Sequence, residues 1–191
     1  DLDIPDKFPK DDFLKFRELC CGYRRQRDGR FVRAKNEWFH KDGYERFQST
    51  RRQINVFPPG HNKTTLYAIE MPTWLIMGDR NVRVGVVQKN QTEAKKIIGA
   101  VQDRLADHDY YNWLTEGLKA QGDEGLVNPL DAYFANKPFR PGNREPGASW
   151  GKEQFMVTGR MSGEKDYTMQ AFGVGSGIQG GRCDHSILGE F

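Results

Sequence analysis

Residues 52–66, RQINVFPPGHNKTTL, constrain this chain more than any other stretch. Residues 54–57 read as a short apolar strand that meets a Pro58-Pro59-Gly60 turn. Lys63, Thr64 and Thr65 then open a helical pattern. A strand, a tight turn and a helix beginning on Lys-Thr is the layout of a phosphate-binding loop. The N–H groups of a helix's first turn have no partner inside the helix and can face an anion. Lys63 would set a point charge on the outer phosphates, and the Thr64 hydroxyl would ligate Mg²⁺. Laid over residues 57–64, the pattern G-x-x-x-x-G-K-[ST] keeps Lys63 and Thr64. Phe57 and Asn62 stand at its two glycine positions, and Asn tolerates left-handed backbone better than most residues. The same residues also describe a Pro-Gly turn before an ordinary helix with a solvated lysine.

A chain of 191 residues can bury one sizeable core, and a single α/β domain is the expectation. With 29% charged residues and a mean hydropathy of −0.78, its surface is heavily polar. No apolar run approaches a membrane span and no signal-peptide pattern opens the chain, so no membrane partner is expected. The net charge of +3 is small, but Arg17, Arg24, Arg25, Arg27, Arg30, Arg33 and Lys35 crowd the N-terminal third. That cluster fits either a nucleic-acid surface or a solvated helical face. Cys20, Cys21 and Cys183 give neither metal spacing nor a disulfide framework, and His40, His61, His108 and His185 are scattered. A reduced, intracellular protein without structural zinc is expected.

Residues 1–50 read as a helical N-terminal subdomain. Asp11 and Asp12 precede FLKFRELCC, where Phe13, Phe16, Leu19 and Cys20 share a helical face. Trp38, Phe39, Tyr44 and Phe47 would either form that subdomain's core or pack against an adenine ring. A helix over residues 64–77 is expected to break or bend near Pro72. A buried strand follows over residues 82–88, then a helix capped by Asn90 or Thr92 with Ala94, Ile97, Ile98, Val101 and Leu105 buried. Strand, loop, helix, strand and helix in this order predict a parallel α/β sheet. Residues 107–150 read as an irregular insertion with a short helix around Trp113. Strands are expected at residues 154–158 and 167–172. The glycine run at residues 173–181 then reads as a loop between strands, since no helix follows to make a dinucleotide fingerprint.

Hydrolysis at such a loop needs a second strand ending in acids, one for the metal and one for water. His185-Ser186-Ile187-Leu188-Gly189-Glu190 is an apolar strand ending at a carboxylate. Glu190 stands where the general base belongs, and Gly189 where a metal-binding Asp would be. Losing one charge-stabilising group of this kind commonly costs about 10²–10³ in rate.

INVFPPGHNKTTL, VRVGVVQKNQTEAKKII and MQAFGVGSGIQGGRCDHSILGEF, in this order, resemble the ATPase domain of tailed-phage terminase large subunits. The resemblance covers residues 53–105 and 168–191. It implies an α/β P-loop NTPase of the ASCE or RecA-like kind, with a mostly parallel sheet flanked by helices over residues 51–191 and the N-terminal subdomain over residues 1–50. It implies an ATPase with ATP and Mg²⁺ as cofactors, working as a homo-oligomeric ring that drives double-stranded DNA into a procapsid in the host cytoplasm. A portal protein and a small terminase subunit would be partners. By position, Pro59, Gly60, His61, Asn62, Lys63, Thr64 and Thr65 would hold nucleotide, Gln48 would read adenine, and Thr64 and Glu190 would hold the metal. Lys63 and Glu190 would be catalytic, and Arg104 or Arg182 would reach a neighbour's site as an arginine finger. The family commonly has Arg and Gly where this chain has Pro59 and Asn62, and two acids where it has Gly189-Glu190. Family members continue past the acidic strand into more sheet and a nuclease domain, so a chain longer than Phe191 is expected. Two alternatives stay open: a degenerate P-loop module that binds nucleotide without turnover, and a helicase-type translocase.

Overall fold

A computed structural model describes residues 6–50, 63–142, 148–161, 166–174 and 182–188. It divides the chain into two compact units. One joins residues 1–63 to residues 108–136, and the other joins residues 64–107 to residues 137–191. The division differs from the one read in the sequence. Residues 108–136 pack with the N-terminal residues, and the boundary falls at residues 63 and 64 instead of 50 and 51.

In the first unit, α1 (Phe13–Cys20) starts where Asp12 accepts a hydrogen bond from the Lys15 amide at 2.9 Å. It buries Phe13, Phe16, Leu19 and Cys20, as their spacing predicts. Arg17 is buried among them, its guanidinium donating to the Lys35 carbonyl and, at 3.1 Å, to the Asn36 side chain. The expectation of helix throughout residues 1–50 is corrected by a hairpin. Strand β1 (Gly22–Arg24) pairs antiparallel with β2 (Phe31–Arg33), Gly22 opposite Arg33. Its turn contains Gly29 at φ 69, a left-handed backbone that glycine adopts without strain. Helix α2 (Trp38–Ser49) follows. The short helix expected around Trp113 is α5 (Asp109–Lys119), and α6 (Pro129–Tyr133) is capped by Asn128. Leu114, Leu118 and Leu126 form a core against which Phe31 and Tyr110 pack. The hairpin seats closely on α5: a β-carbon added at Gly117 would lie 2.5 Å from the Phe31 ring.

In the second unit, a π-helical stretch, Thr64–Glu70, runs directly into α3 (Met71–Gly78). Pro72 explains the change of winding. Its ring cannot donate a hydrogen bond and would crowd the carbonyl of residue 68 in a continuous α-helix. The wider π turns upstream relieve that clash, and the Thr73 hydroxyl donates to the Ile69 carbonyl at 2.7 Å. Strand β3 (Val84–Gln88) is buried at all five positions. Helix α4 (Gln91–Ala106) returns across β3 and β5 (Met169–Gly173). The Asn90 side chain accepts from the Glu93 amide at 3.0 Å, and Ala94, Ile97, Ile98, Val101 and Leu105 are buried. The sheet has the order β4-β5-β3-β6, with β4 (Gln154–Phe155), β5 (Met169–Gly173) and β6 (His185–Leu188). Strand β3 runs parallel to both β5 and β6, while β4 is antiparallel to β5. The result is a four-stranded mixed sheet. The strand expected over residues 154–158 is cut to two residues.

Candidate functional site

The residues read as a nucleotide site divide between the two units and the undescribed segments. Pro59, Gly60, His61, Asn62 and Glu190 lie outside the described residues, as do Gly189 and residues 175–181 of the glycine run. Lys63 is half-buried, Thr64 begins the π-helical stretch with its side chain exposed, and Thr65 is half-buried. Gln48 is exposed in the last turn of α2, its amide donating to the Tyr44 hydroxyl at 2.9 Å. Tyr44 packs against Phe13 with ring centroids 5.7 Å apart. This aromatic therefore belongs to the core of its unit, whereas Trp38 is 77% exposed. Arg104 sits in the last turn of α4, donating to the Ala100 carbonyl at 2.6 Å. Arg182 is exposed just before β6.

The carboxyl edge of the parallel strands is where ligand groups gather in α/β sheets. Here β3 ends at Gln88 and the chain turns at Asn90 into α4, while β5 ends at Gly173 opposite Gln88. The Val174 amide donates to the Gln88 carbonyl at 3.0 Å. A β-carbon at Gly173 would lie 2.8 Å from the Gln91 amide nitrogen and 3.3 Å from the Asn90 carbonyl carbon. The start of α4 and the end of β5 thus meet backbone to backbone, with no room for a side chain. Val174 and Leu188 project from this edge 59% and 66% exposed.

At the opposite edge stands a cluster that sequence reasoning did not single out. The Arg83 guanidinium grips both oxygens of Asp184, Nη2 to Oδ1 at 2.7 Å and Nε to Oδ2 at 3.1 Å, and reaches Asp166 at 3.2 Å. The Arg83 amide adds a bond to Asp184 Oδ2 at 3.0 Å. The Arg83 hydrogen bond holds the Asp184 carboxyl below the usual carboxylate range, against the smaller opposing push of burial. Burial lowers the proton affinity of His185, opposed by the Asp184 charge, and raises that of Cys183. The signal for this cluster was the parallel pairing itself. With Val84 opposite His185, the residues just before each strand, Arg83 and Asp184, become neighbours. The cluster ties the start of β6 to the start of β3.

Among the described residues no group of three or more His, Cys, Asp or Glu side chains could hold a metal ion. Thr64 is the single described member of the expected magnesium set. One exposed hydroxyl suits an ion that arrives with its phosphates and keeps most of its waters, not an ion held by the protein alone. No helix among the described residues is long and apolar enough to cross a membrane. Compared with known proteins, the chain matches no family model, no curated protein and no solved structure.

Proposed function

We propose that this chain is a nucleotide-driven DNA motor domain of the terminase kind, built on a P-loop NTPase sheet. In this reading it binds ATP with Mg²⁺ at the loop that precedes Thr64 and couples hydrolysis to movement of double-stranded DNA into a procapsid, within a ring of identical subunits. The observation that carries the reading is the parallel, in-register pairing of β3 with β6, Val84 opposite His185 through Val87 opposite Leu188. That pairing makes the strand leading into Gly189-Glu190 a direct neighbour of the VGVVQ strand. A parallel strand leading to a carboxylate is what the reading expects of the acidic strand, while the strand expected at residues 54–57 lies outside the described residues. A helix opening on Lys63-Thr64 adds the second half. Lys63 would offset the charge of the outer phosphates, the Thr64 hydroxyl would face the metal, and Glu190 would orient the attacking water. Bound Mg²⁺ would neutralise charge on the phosphates. Gly189 favours a second reading, nucleotide binding without turnover, because it supplies no metal ligand.

A fluorescent ATP analogue titrated with Mg²⁺ against the native chain and Lys63→Ala tests the site. Micromolar binding that disappears in the variant is expected. Equal binding, or none, in both proteins overturns the proposal. Where binding holds, DNA-stimulated phosphate release separates the motor from the silent binder.

A further inference from the structure

The β1–β2 hairpin and the residues leaving it concentrate positive charge. Residues 22–35 hold six cations and one acid, Asp28, a larger positive excess than the +3 of the entire chain. Everything outside this segment is therefore net negative, so charge is segregated and not merely abundant.

The structure sorts the six. Arg33 is engaged by Asp123. Arg24 closes the turn, its Nε donating to the Gly29 carbonyl at 3.0 Å, and Arg25 lies 3.6 Å from Asp28. Arg27, Arg30 and Lys35 are exposed, and no acid among the described residues is paired with them. Arg25, Arg30, Arg33 and Lys35 border an open depression of ≈ 600 Å³ that extends to Gln121 beyond α5. Its one acid is Asp123, already matched by Arg33. The mount is firm, because Phe31 sits against Gly117 and meets the Trp113 ring at 4.9 Å.

We propose that the hairpin is a docking surface for the sugar–phosphate backbone of a DNA duplex, with Arg30 and Lys35 at the depression and Arg27 in the hairpin turn supplying the phosphate contacts. Arginine forks match phosphate oxygens. An unpaired strand would need free aromatic faces among its contacts. Phe31, the aromatic that lines the depression, is taken up by Gly117 and Trp113. The exposed Tyr23, Trp38 and Trp113 are not part of the depression's lining. A fixed duplex contact positions a substrate without reading its sequence, which suits a surface of charge and little else. The inference stands on the first unit alone and does not depend on nucleotide binding.

The test is fluorescence anisotropy of a labelled 30-base-pair duplex, without nucleotide, between 50 and 200 mM NaCl. Three phosphate contacts predict about a 40-fold loss of affinity over that range for the native chain, from about 0.9 per contact in the log–log slope. Arg27→Ala/Arg30→Ala/Lys35→Ala is expected to weaken binding at least about tenfold at 50 mM and to flatten the slope towards zero. Lys152→Ala, an exposed lysine of the second unit, should behave like the native chain. The glutamine version, Arg30→Gln/Lys35→Gln, serves if the triple variant loses its native circular dichroism. Native affinity and slope in a folded variant overturn the proposal. So does absence of duplex binding by the native chain, or equal displacement of the duplex by poly-glutamate at matched charge, which would indicate an acidic protein partner.

Discussion

Arg83 ties the surface of the second unit together, since one guanidinium serves two carboxylates that lie far from it in the chain. Asp184 remains 40% exposed in its side chain, so water screens the pair, and Asp184→Asn should cost only about 0.5–1 kcal/mol at pH 7. The pH dependence follows from the direction of the shift. Asp184 is held below the usual carboxylate range, so its contribution is complete above the unfolded value of about 3.9. It is lost as pH falls through the lower folded value. Urea unfolding of native chain and variant should therefore differ at pH 7, and the gap should close on acidification below the unfolded value of about 3.9. The Asp184 charge also raises the proton affinity of His185, so the gap widens as His185 protonates before it closes. A gap that does not close on acidification would show that Asp184 acts by packing or by its neutral hydrogen bonds. Little of this cluster was legible beforehand. Arg83 and Asp184 are 101 positions apart, and nothing local to either announces the other until the strands are paired.

Helices α1 and α4 were readable because cap and periodicity agree. Asp12 and Asn90 mark their starts, and their buried positions recur at helical spacing. The hairpin was not readable. Its strands are three residues long, crowded with arginine and without an alternating pattern, and their stability comes from contacts nearly a hundred residues away. Helix α5 was expected only as a short helix around Trp113; its run to Lys119 passes through Gly117, which lowers local helix propensity yet is the residue that admits Phe31. Of the candidate site, the Lys63-Thr64 helix start and the β6 strand were legible as elements, while the sheet order β4-β5-β3-β6 was not. Order depends on which strands bury each other, and one chain's pattern does not carry that. The dependence of the hairpin on α5 can be measured. Leu114 is fully buried and lies within 3.2 Å of a β-carbon position at Gly22. Leu114→Ala should cost about 2–5 kcal/mol in chemical denaturation. Lys119→Ala, on the exposed side of the same helix, should stay within about 0.5 kcal/mol. Equal effects would mean that the hairpin and α5 do not share a core.

Each unit is assembled from two separate lengths of chain, and the second bridges the gap with its own hydrogen bond. The Phe139 amide donates to the Leu105 carbonyl at 2.8 Å, so the chain leaves and re-enters that unit at neighbouring points. Replacing residues 108–136 with a short Gly-Ser linker should therefore preserve slow amide exchange at Val84, Val86 and Val87 while abolishing it in α1. Loss of protection in β3 as well would show that the units are one cooperative structure. The same discontinuity sets the order of events on a ribosome. Strand β3 is finished at Gln88, but the strand beside it, β5, does not begin until Met169. At about 5–20 residues per second that interval is roughly 4–16 s. For those seconds a strand that is buried along its whole length in the finished sheet has been made and its partners have not. A nascent chain of this design must shelter β3 under α4, or in the grip of a chaperone, until the second half of its sheet arrives.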